Sequence, residues 1–325
     1  MRAVVCTSFS GPDGLEIREI PLHSLKEDEV LVKVHAIGVN LHDVLLVKGL
    51  HQMKPPFPFV PGSAASGVVM ETGRKVKRVK PGDRVTCGGM GGAYARKMVS
   101  REHWVSRLPD EVDYLQGASY RSSYGTAYFS LVNRGRLRRG EYLVVHGAAG
   151  GIGLAAVDIG RLLGARVIGC VGSDDKIPVV FKHGASDVIN YEKQKLDQSI
   201  KKLTHGKGAD VVIDVVGGKV FVPSLRALSW NGRMLVVGFA SGEIPEAPMN
   251  LPLLKNASII GVLYGPWIDL NPEKALEINE ILLGWMAEGK LKVYISHVFS
   301  FDQAKDAMKV LEERRAIGKV VIKVR

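Results

Sequence analysis

Apolar and polar residues alternate over Val30–Ala36, and short runs rich in β-formers recur at Ala65–Glu71, Arg84–Cys87 and Tyr94–Val99. A period of two marks half-buried strands. Gly11-Pro12-Asp13-Gly14 and Lys80-Pro81-Gly82-Asp83 carry turn residues between them. Met1–Val5 also reads as a strand, so the first part of the chain predicts a compact β domain. From residue 122 onward the period changes. Tyr142–His146 is a short apolar strand; Ile152, Ala155, Ala156, Ile159, Leu162 and Leu163 then follow helical spacing, and Gly164 ends that helix. Further strands are expected at Arg166–Val171, Asp187–Ile189, Asp210–Val215, Arg233–Phe239 and Ser258–Leu263, with helical segments between most of them. Strands alternating with helices specify an α/β parallel sheet, doubly wound, and six strands match the dinucleotide-binding count. Beyond residue 265 a helix is expected near Pro272–Glu288, then a strand at Lys292–Val298. Ser300-Phe301-Asp302-Gln303 is a capping box opening another helix, and Gly318–Val324 is a final strand. These last pieces are expected to return to the first domain. The predicted division is 1–121 with 265–325, and 122–264.

Composition narrows the picture without redirecting it. The chain has 325 residues, 46% hydrophobic and 24% charged, enough for two globular domains with sizeable cores. No 18-residue apolar run suggests a membrane span, and the N-terminal strand has no leader pattern, so no secretory signal is expected. The three cysteines, Cys6, Cys87 and Cys170, are scattered and odd in number. That argues against disulfides and for a reducing compartment, the cytoplasm first and the mitochondrion second. The net charge of +11 concentrates at Arg74–Lys80 and Arg134–Arg139. Neither run is interleaved with aromatics, so both are read as solvated turn faces rather than a nucleic-acid surface.

The strongest chemical signal is VVHGAAGGIGLAA, residues 144–156. In the frame G-x-G-x-x-G the three positions are Ala148, Gly150 and Gly153, with Gly147 just before. The turn needs little side-chain bulk so that backbone can approach a pyrophosphate. The helix opening at Gly150, Gly151 and Ile152 offers unpaired N–H groups and a positive dipole end to that anion. The pattern follows a strand, opens a helix and sits in a long βα alternation, which makes dinucleotide binding the reading. An NAD site places a carboxylate about 20 residues on, at the tip of the second strand. Here Gly172 occupies the tip, followed by Ser173 and, at 176, a lysine. A hydroxyl and a cation suit a ribose 2′-phosphate, so NADPH is the expected cofactor. Asp174 is the counter-argument: were the strand two residues longer, it would be the NAD carboxylate.

With these residues in view, the whole chain resembles the quinone oxidoreductase (zeta-crystallin-like) branch of the medium-chain dehydrogenase/reductases. The resemblance is carried by GVNLHD at 38–43, PFVPG at 58–62 with the SGVV that follows, KPGDRV at 80–85, SYGTAY at 123–128, GAAGGIG at 147–153, VINY at 188–191, VIDVVGG at 212–218 and GKVV at 318–321. It implies a GroES-like catalytic domain, an inserted nucleotide domain and a cleft between them. In zinc members a Cys stands where Asn40 is and a His where Ser63 is, and a four-cysteine lobe holds structural zinc. This chain has neither ligand and too few cysteines, so a metal-free site is expected.

The resemblance further implies that Tyr191 and Arg315 lie near the 2′-phosphate beside Lys176, and that Thr126 and Phe239 line the nicotinamide. Plainer roles compete: Tyr191 could pack a sheet edge, and Arg315 could pair with Glu312 on its helix. Many members of the branch carry Glu where this chain has Ala64, and a Tyr where it has Leu45. That Tyr is a candidate proton donor, so its absence leaves His42 as the nearest titratable substitute. The expected reaction is NADPH-dependent reduction of a quinone or enone, with Asn40 donating an N–H to the carbonyl oxygen as it gains charge. A turn-capping role competes for Asn40. A 2-enoyl-thioester reductase, or an NADPH-binding protein with little turnover and possible RNA contacts, are the alternatives. Ser258–Leu263 is apolar on both faces and is expected at a sheet edge, where a homodimer would form on Ala257–Leu263.

Overall fold

The structure, a computed structural model, describes residues 1–324. The chain forms two compact units: Met1–Ser122 with Ile268–Arg325, and Ser123–Trp267.

The first unit opens with a hairpin of β1 (Arg2–Cys6) and β2 (Leu15–Glu19). It continues through β3 (Glu29–Val39), α1 (Leu41–Val47), β4 (Ala64–Thr72), β5 (Arg84–Gly88), β6 (Lys97–Arg101), β7 (Val105–Arg107) and α2 (Tyr114–Tyr128), within which the division falls. The long strand β3 explains its own sequence. Val30, Val32 and Val34 point into the core, whereas beyond a bulge between Val34 and Ala36 the core residues become Ile37 and Val39. The bulge shifts the phase of a period-two pattern by one. The expected strand at Tyr94–Val99 is displaced to Lys97–Arg101. Tyr94 and Ala95 pair first with β1, through Val4 N–H to Tyr94 O at 2.8 Å and an Ala3–Ala95 bridge, before the chain crosses to β3.

The second unit holds β8 (Tyr142–His146), α3 (Gly151–Leu162), β9 (Arg166–Val171), α4 (Ile177–Lys182), β10 (Asp187–Asn190), α5 (Leu196–Leu203), β11 (Ala209–Asp214), α6 (Phe221–Arg226), β12 (Leu228–Val236), α7 (Asn250–Lys255), β13 (Ser258–Gly261) and α8 (Tyr264–Leu270), whose last turn passes into the first unit. The six strands are parallel in the order β10-β9-β8-β11-β12-β13. The order reverses between β8 and β11, the switch point where such sheets bind ligands. Every residue of β8 and β11 is buried, as a central parallel strand covered on both faces requires. The last strand is shorter than Ser258–Leu263, but it does lie at the sheet edge.

The chain then adds α9 (Pro272–Ala287), β14 (Ile295–Ser300), α10 (Ala304–Glu312) and β15 (Lys319–Lys323) to the first unit. β15 pairs antiparallel with β3, and β14 pairs parallel with β15. The strand expected at Lys292–Val298 begins later because the Gln116 side chain takes both polar groups of Val293: Nε2 donates to Val293 O at 2.9 Å, and Oε1 accepts from its N–H at 2.8 Å. Ala304, Ala307 and Met308 of α10 close the core over Val320 and Ile322.

Candidate active site and cofactor cradle

In the second unit the turn after β8 leaves no room for side chains. Gly147 has φ +59°, and a Cβ on Gly153 would stand 2.1 Å from Gly147 O. Gly153 is therefore required by contact between helix and turn, the third of the roles that glycine plays in this motif. Ala148 is fully buried, Gly150 caps α3, and Gly151 and Ile152 form its first turn. The N–H groups of Ala148 and Gly150 are bonded to Cys170 O and Gly147 O, whereas those of Gly151 and Ile152, in the first turn of α3, have no intrahelical acceptors and suit an anion. Beneath the turn, His146 bridges Ser224 (Nε2 to Oγ, 2.7 Å) and Asp214 (Nδ1 to Oδ1, 3.0 Å), all three buried. Burial pushes the Asp214 carboxyl up, but His146 and the N–H groups of Gly217 and Val216 outweigh it and hold the carboxyl below its usual range. The trio has the composition of a hydrolytic triad, yet no substrate can reach it. It ties β8, β11 and α6 together at the switch point.

At the tip of β9 the strand ends with Val171, and Ser173 precedes a 3-10 turn over Asp174–Lys176. Tyr191 leans over Gly172, where a Cβ would lie 2.9 Å from its hydroxyl. Asp174 is turned toward β10: it accepts from Asn190 Nδ2 at 2.5 Å and pairs with Lys193. Lys193 and Asn190 hold its carboxyl below the usual range. Lys176 is half-buried at the end of the same turn. Thr126 is half-buried on α2 and accepts a bond from Ser130 Oγ through its carbonyl, while Phe239 is 39% exposed and lies against Gly217.

In the first unit Asn40 stands between β3 and α1 as the helix N-cap, 6% exposed. Its backbone N–H donates to Asp43 Oδ2 at 2.9 Å, and its Nδ2 donates to Gly38 O at 3.2 Å. His42 Nε2 lies 2.7 Å from Ser63 Oγ and 3.2 Å from Asp43 Oδ1. His51 is close behind, with ring centroids 6.4 Å apart, and burial, with His42 adding to it, holds its pKa below the ordinary histidine value. Sequence reasoning missed the fourth wall of this cluster. Lys319 of β15 is 4% exposed, and its Nζ donates to Asn40 Oδ1 at 2.5 Å and to Val39 O at 3.1 Å. Burial pushes that ammonium down to about 8, with Asp43 pulling the other way. Its one sequence signal is a lysine beside the apolar triplet Val320–Ile322. Leu45, on α1, offers no proton. Among the described residues no three His, Cys, Asp or Glu side chains converge as a metal site.

Arg315 is exposed in the first unit just past α10, and its partner is Glu313 at 2.5 Å, not Glu312. The chain has left the helix by then, so helical spacing no longer selects the partner. The basic run at 74–80 is largely paired: Arg74 and Lys75 with Glu27, Arg78 with Glu280. Cys6, Cys87 and Cys170 are free and buried. No helix among the described residues is long and apolar enough to cross a membrane.

Comparison with known proteins places these features in a family. A family model described as an alcohol dehydrogenase GroES-like domain matches residues 26–110, and one described as a zinc-binding dehydrogenase matches residues 151–280. The chain is 38% identical to a quinone oxidoreductase-like protein 2 homolog of Nematostella vectensis, over 99% of this chain and 88% of that one. It is 34% identical to human quinone oxidoreductase, over 99% and 97% respectively. A crystal structure of Escherichia coli quinone oxidoreductase complexed with NADPH superposes with a TM-score of 0.92 at 29% identity, covering 100% of both chains.

Proposed function

The chain belongs to the quinone oxidoreductase branch of the medium-chain dehydrogenase/reductases, and from that premise we propose that it reduces quinones or other α,β-unsaturated carbonyls with NADPH and without zinc. The observation that carries the reading is the cluster of Asn40, His42 and Ser63, built from hydrogen-bonding groups rather than converging metal ligands.

Ala148, Gly150, Gly151, Ile152 and Gly153 would hold the cofactor's pyrophosphate. Gly172, Ser173, Lys176 and Tyr191 would receive its ribose phosphate, and Thr126 and Phe239 would line the nicotinamide. The commitment of Asp174 to Lys193 and Asn190 supports NADPH, because the carboxylate that would serve NAD is already occupied. When bound, the reduced nicotinamide supplies hydride. The chain's own contribution is to stabilise the oxygen that gains charge. Asn40 has amide N–H groups suited to that role, and one such donor is worth about 2–4 kcal/mol in a transition state. His42, bonded to Ser63 and beside Asp43, is the group placed to deliver a proton.

We also propose a homodimer on the β13 edge. The neighbouring Leu253, Leu254 and Leu263 are 79%, 69% and 71% exposed, and an unpaired strand flanked by apolar side chains favours a second chain. The functional test is NADPH oxidation with an ortho-quinone, with crotonyl thioester and with neither, before and after EDTA. Turnover of the quinone unaffected by EDTA is expected. Loss of turnover on chelation, restored by zinc, would overturn the metal-free reading; turnover of the thioester alone would overturn the substrate class.

A further inference from the structure

Lys319 is a costly residue for its position. It precedes Val320, which faces Val39 across the β15–β3 ladder, and its side chain is buried. A methionine of similar length would fill the same space without taking a charge from water. What the lysine adds is a set of donors with no acceptor. Its Nζ lies 2.5 Å from the Asn40 amide, and a second bond, 3.1 Å long, goes to Val39 O. An ammonium cannot accept a hydrogen bond, so only the amide oxygen of Asn40 can face it. The orientation of an amide is ordinarily ambiguous. Here the chemistry of the neighbour decides it.

With Oδ1 held by Lys319, Nδ2 is on the opposite side. One of its N–H groups reaches Gly38 O at 3.2 Å, and the second meets no acceptor among the described residues. We propose that Lys319 is a positioning residue that locks the Asn40 amide with an N–H, rather than its oxygen, presented to the substrate's carbonyl oxygen. The proposal rests on the donor role assigned to Asn40 above. It identifies Lys319 and Asn40 as one unit: the lysine acts on the reaction only through the amide it orients. Without the lysine, the freed Val39 carbonyl becomes a rival acceptor for Nδ2, and the amide can turn its oxygen outward, toward a growing negative charge.

The test is a double-mutant cycle on the NADPH-loaded enzyme with an ortho-quinone, using Lys319→Met, Asn40→Ala and the double variant. Lys319→Met is expected to lower kcat on the order of tenfold with the NADPH Kd unchanged, and to change kcat less than about twofold when Asn40 is already Ala. An equal loss in both backgrounds means that Lys319 is merely structural and overturns the proposal. If Asn40→Ala lowers kcat but Lys319→Met does not, the donor role stands and the positioning role falls. If Asn40→Ala leaves kcat intact, the donor role fails and takes the proposal with it. Should Lys319→Met not fold, Lys319→Gln serves. Its amide can donate or accept, so it keeps a hydrogen bond without fixing the flip. The same loss confined to the Asn40 background supports the proposal, and full activity overturns it.

Discussion

The buried ammonium makes a second prediction that needs no substrate. Burial lowers the Lys319 pKa from 10.5 to about 8 in the folded protein. Unfolding returns the side chain to water and to its ordinary value. Between the two, the unfolded chain binds a proton that the folded chain has released, so stability from this residue rises with pH. Below about pH 8 the burial penalty is present in full, and it fades as pH climbs toward 10.5. The whole span is about 2.5 pH units, or about 3 kcal/mol at 1.36 kcal/mol per unit, and roughly 2 kcal/mol of it is recovered by pH 9.5. Lys319→Met is the perturbation because methionine does not titrate. Both proteins are unfolded in urea at half-unit steps from pH 7 to 9.5. Buried groups elsewhere push the other way. Burial raises Cys87 to about 12 and Tyr94 well above 10, so the unfolded chain loses those protons first and stability falls as pH rises. They are common to both proteins and cancel in the difference. The unfolding free energy of the wild type minus that of the variant should climb by about 2 kcal/mol across the range. A flat difference would show that the folded pKa is not depressed, and the assignment of a penalised ammonium beside Asn40 would be wrong.

Other expectations follow from the same contacts. NADPH should bind roughly ten times more tightly than NADH, and Lys176→Ala should weaken NADPH while sparing NADH; equal affinities in fluorescence titrations would instead return Asp174 to the NAD role. Leu263→Asp should convert a dimer to a monomer in light scattering, since it places a charge in the exposed apolar patch beside the β13 edge, and a wild type already monomeric at micromolar concentration would remove that edge as the interface. Arg121 lies buried over Trp104 at 5.4 Å, with no hydrogen-bond partner among the described residues for any guanidinium nitrogen. Arg121→Met should therefore leave Tm unchanged or raise it, and a fall of several degrees would show that an acceptor serves it. Asn40→Asp should lose kcat for a quinone by about 10²-fold or more, because a carboxylate has no N–H to offer the oxygen that gains charge; retained turnover would dismiss the amide as donor.

Much of this fold was legible in the chain because most of its elements announce themselves locally. The strand–helix alternation after residue 122 needed only periodicity, and the glycine-rich turn needed only the argument that backbone must approach an anion. The six-stranded order with its reversal beside β8 is what those signals imply. The strand expected at Arg233–Phe239 instead begins at Leu228 and ends at Val236, and the other two misplaced strands share one cause. At Tyr94–Ala95 and at Lys292–Val293 the backbone is satisfied by a partner distant in sequence, β1 in one case and the Gln116 side chain in the other, and no local pattern reports a distant partner. Helix α2 was missed for a different reason. Its sequence, YLQGASYRSSYGTAY, carries small and aromatic residues all round with no apolar stripe, and most of it is buried. Lys319 was invisible as a site residue for the same reason as the strands: its partners are 279 and 280 positions away.

Sequence alone sets two roles for Asn40 against each other, a cap for a turn and a donor to substrate. The hydrogen bonds dissolve that opposition. The helix end is served by Asn40's backbone N–H and by the Asp43 carboxylate that receives it. The side-chain oxygen is taken by Lys319 and one amide proton by Gly38. The atom left over is an N–H. An asparagine needed only as a cap would not require a buried lysine behind its amide. The cost of burying an ammonium is several kcal/mol if uncompensated, and a site that bears it is fixing something that a weaker contact leaves free. The orientation of the Asn40 amide is the property of the cluster that Lys319 fixes, with Gly38 O as the weaker, longer second contact.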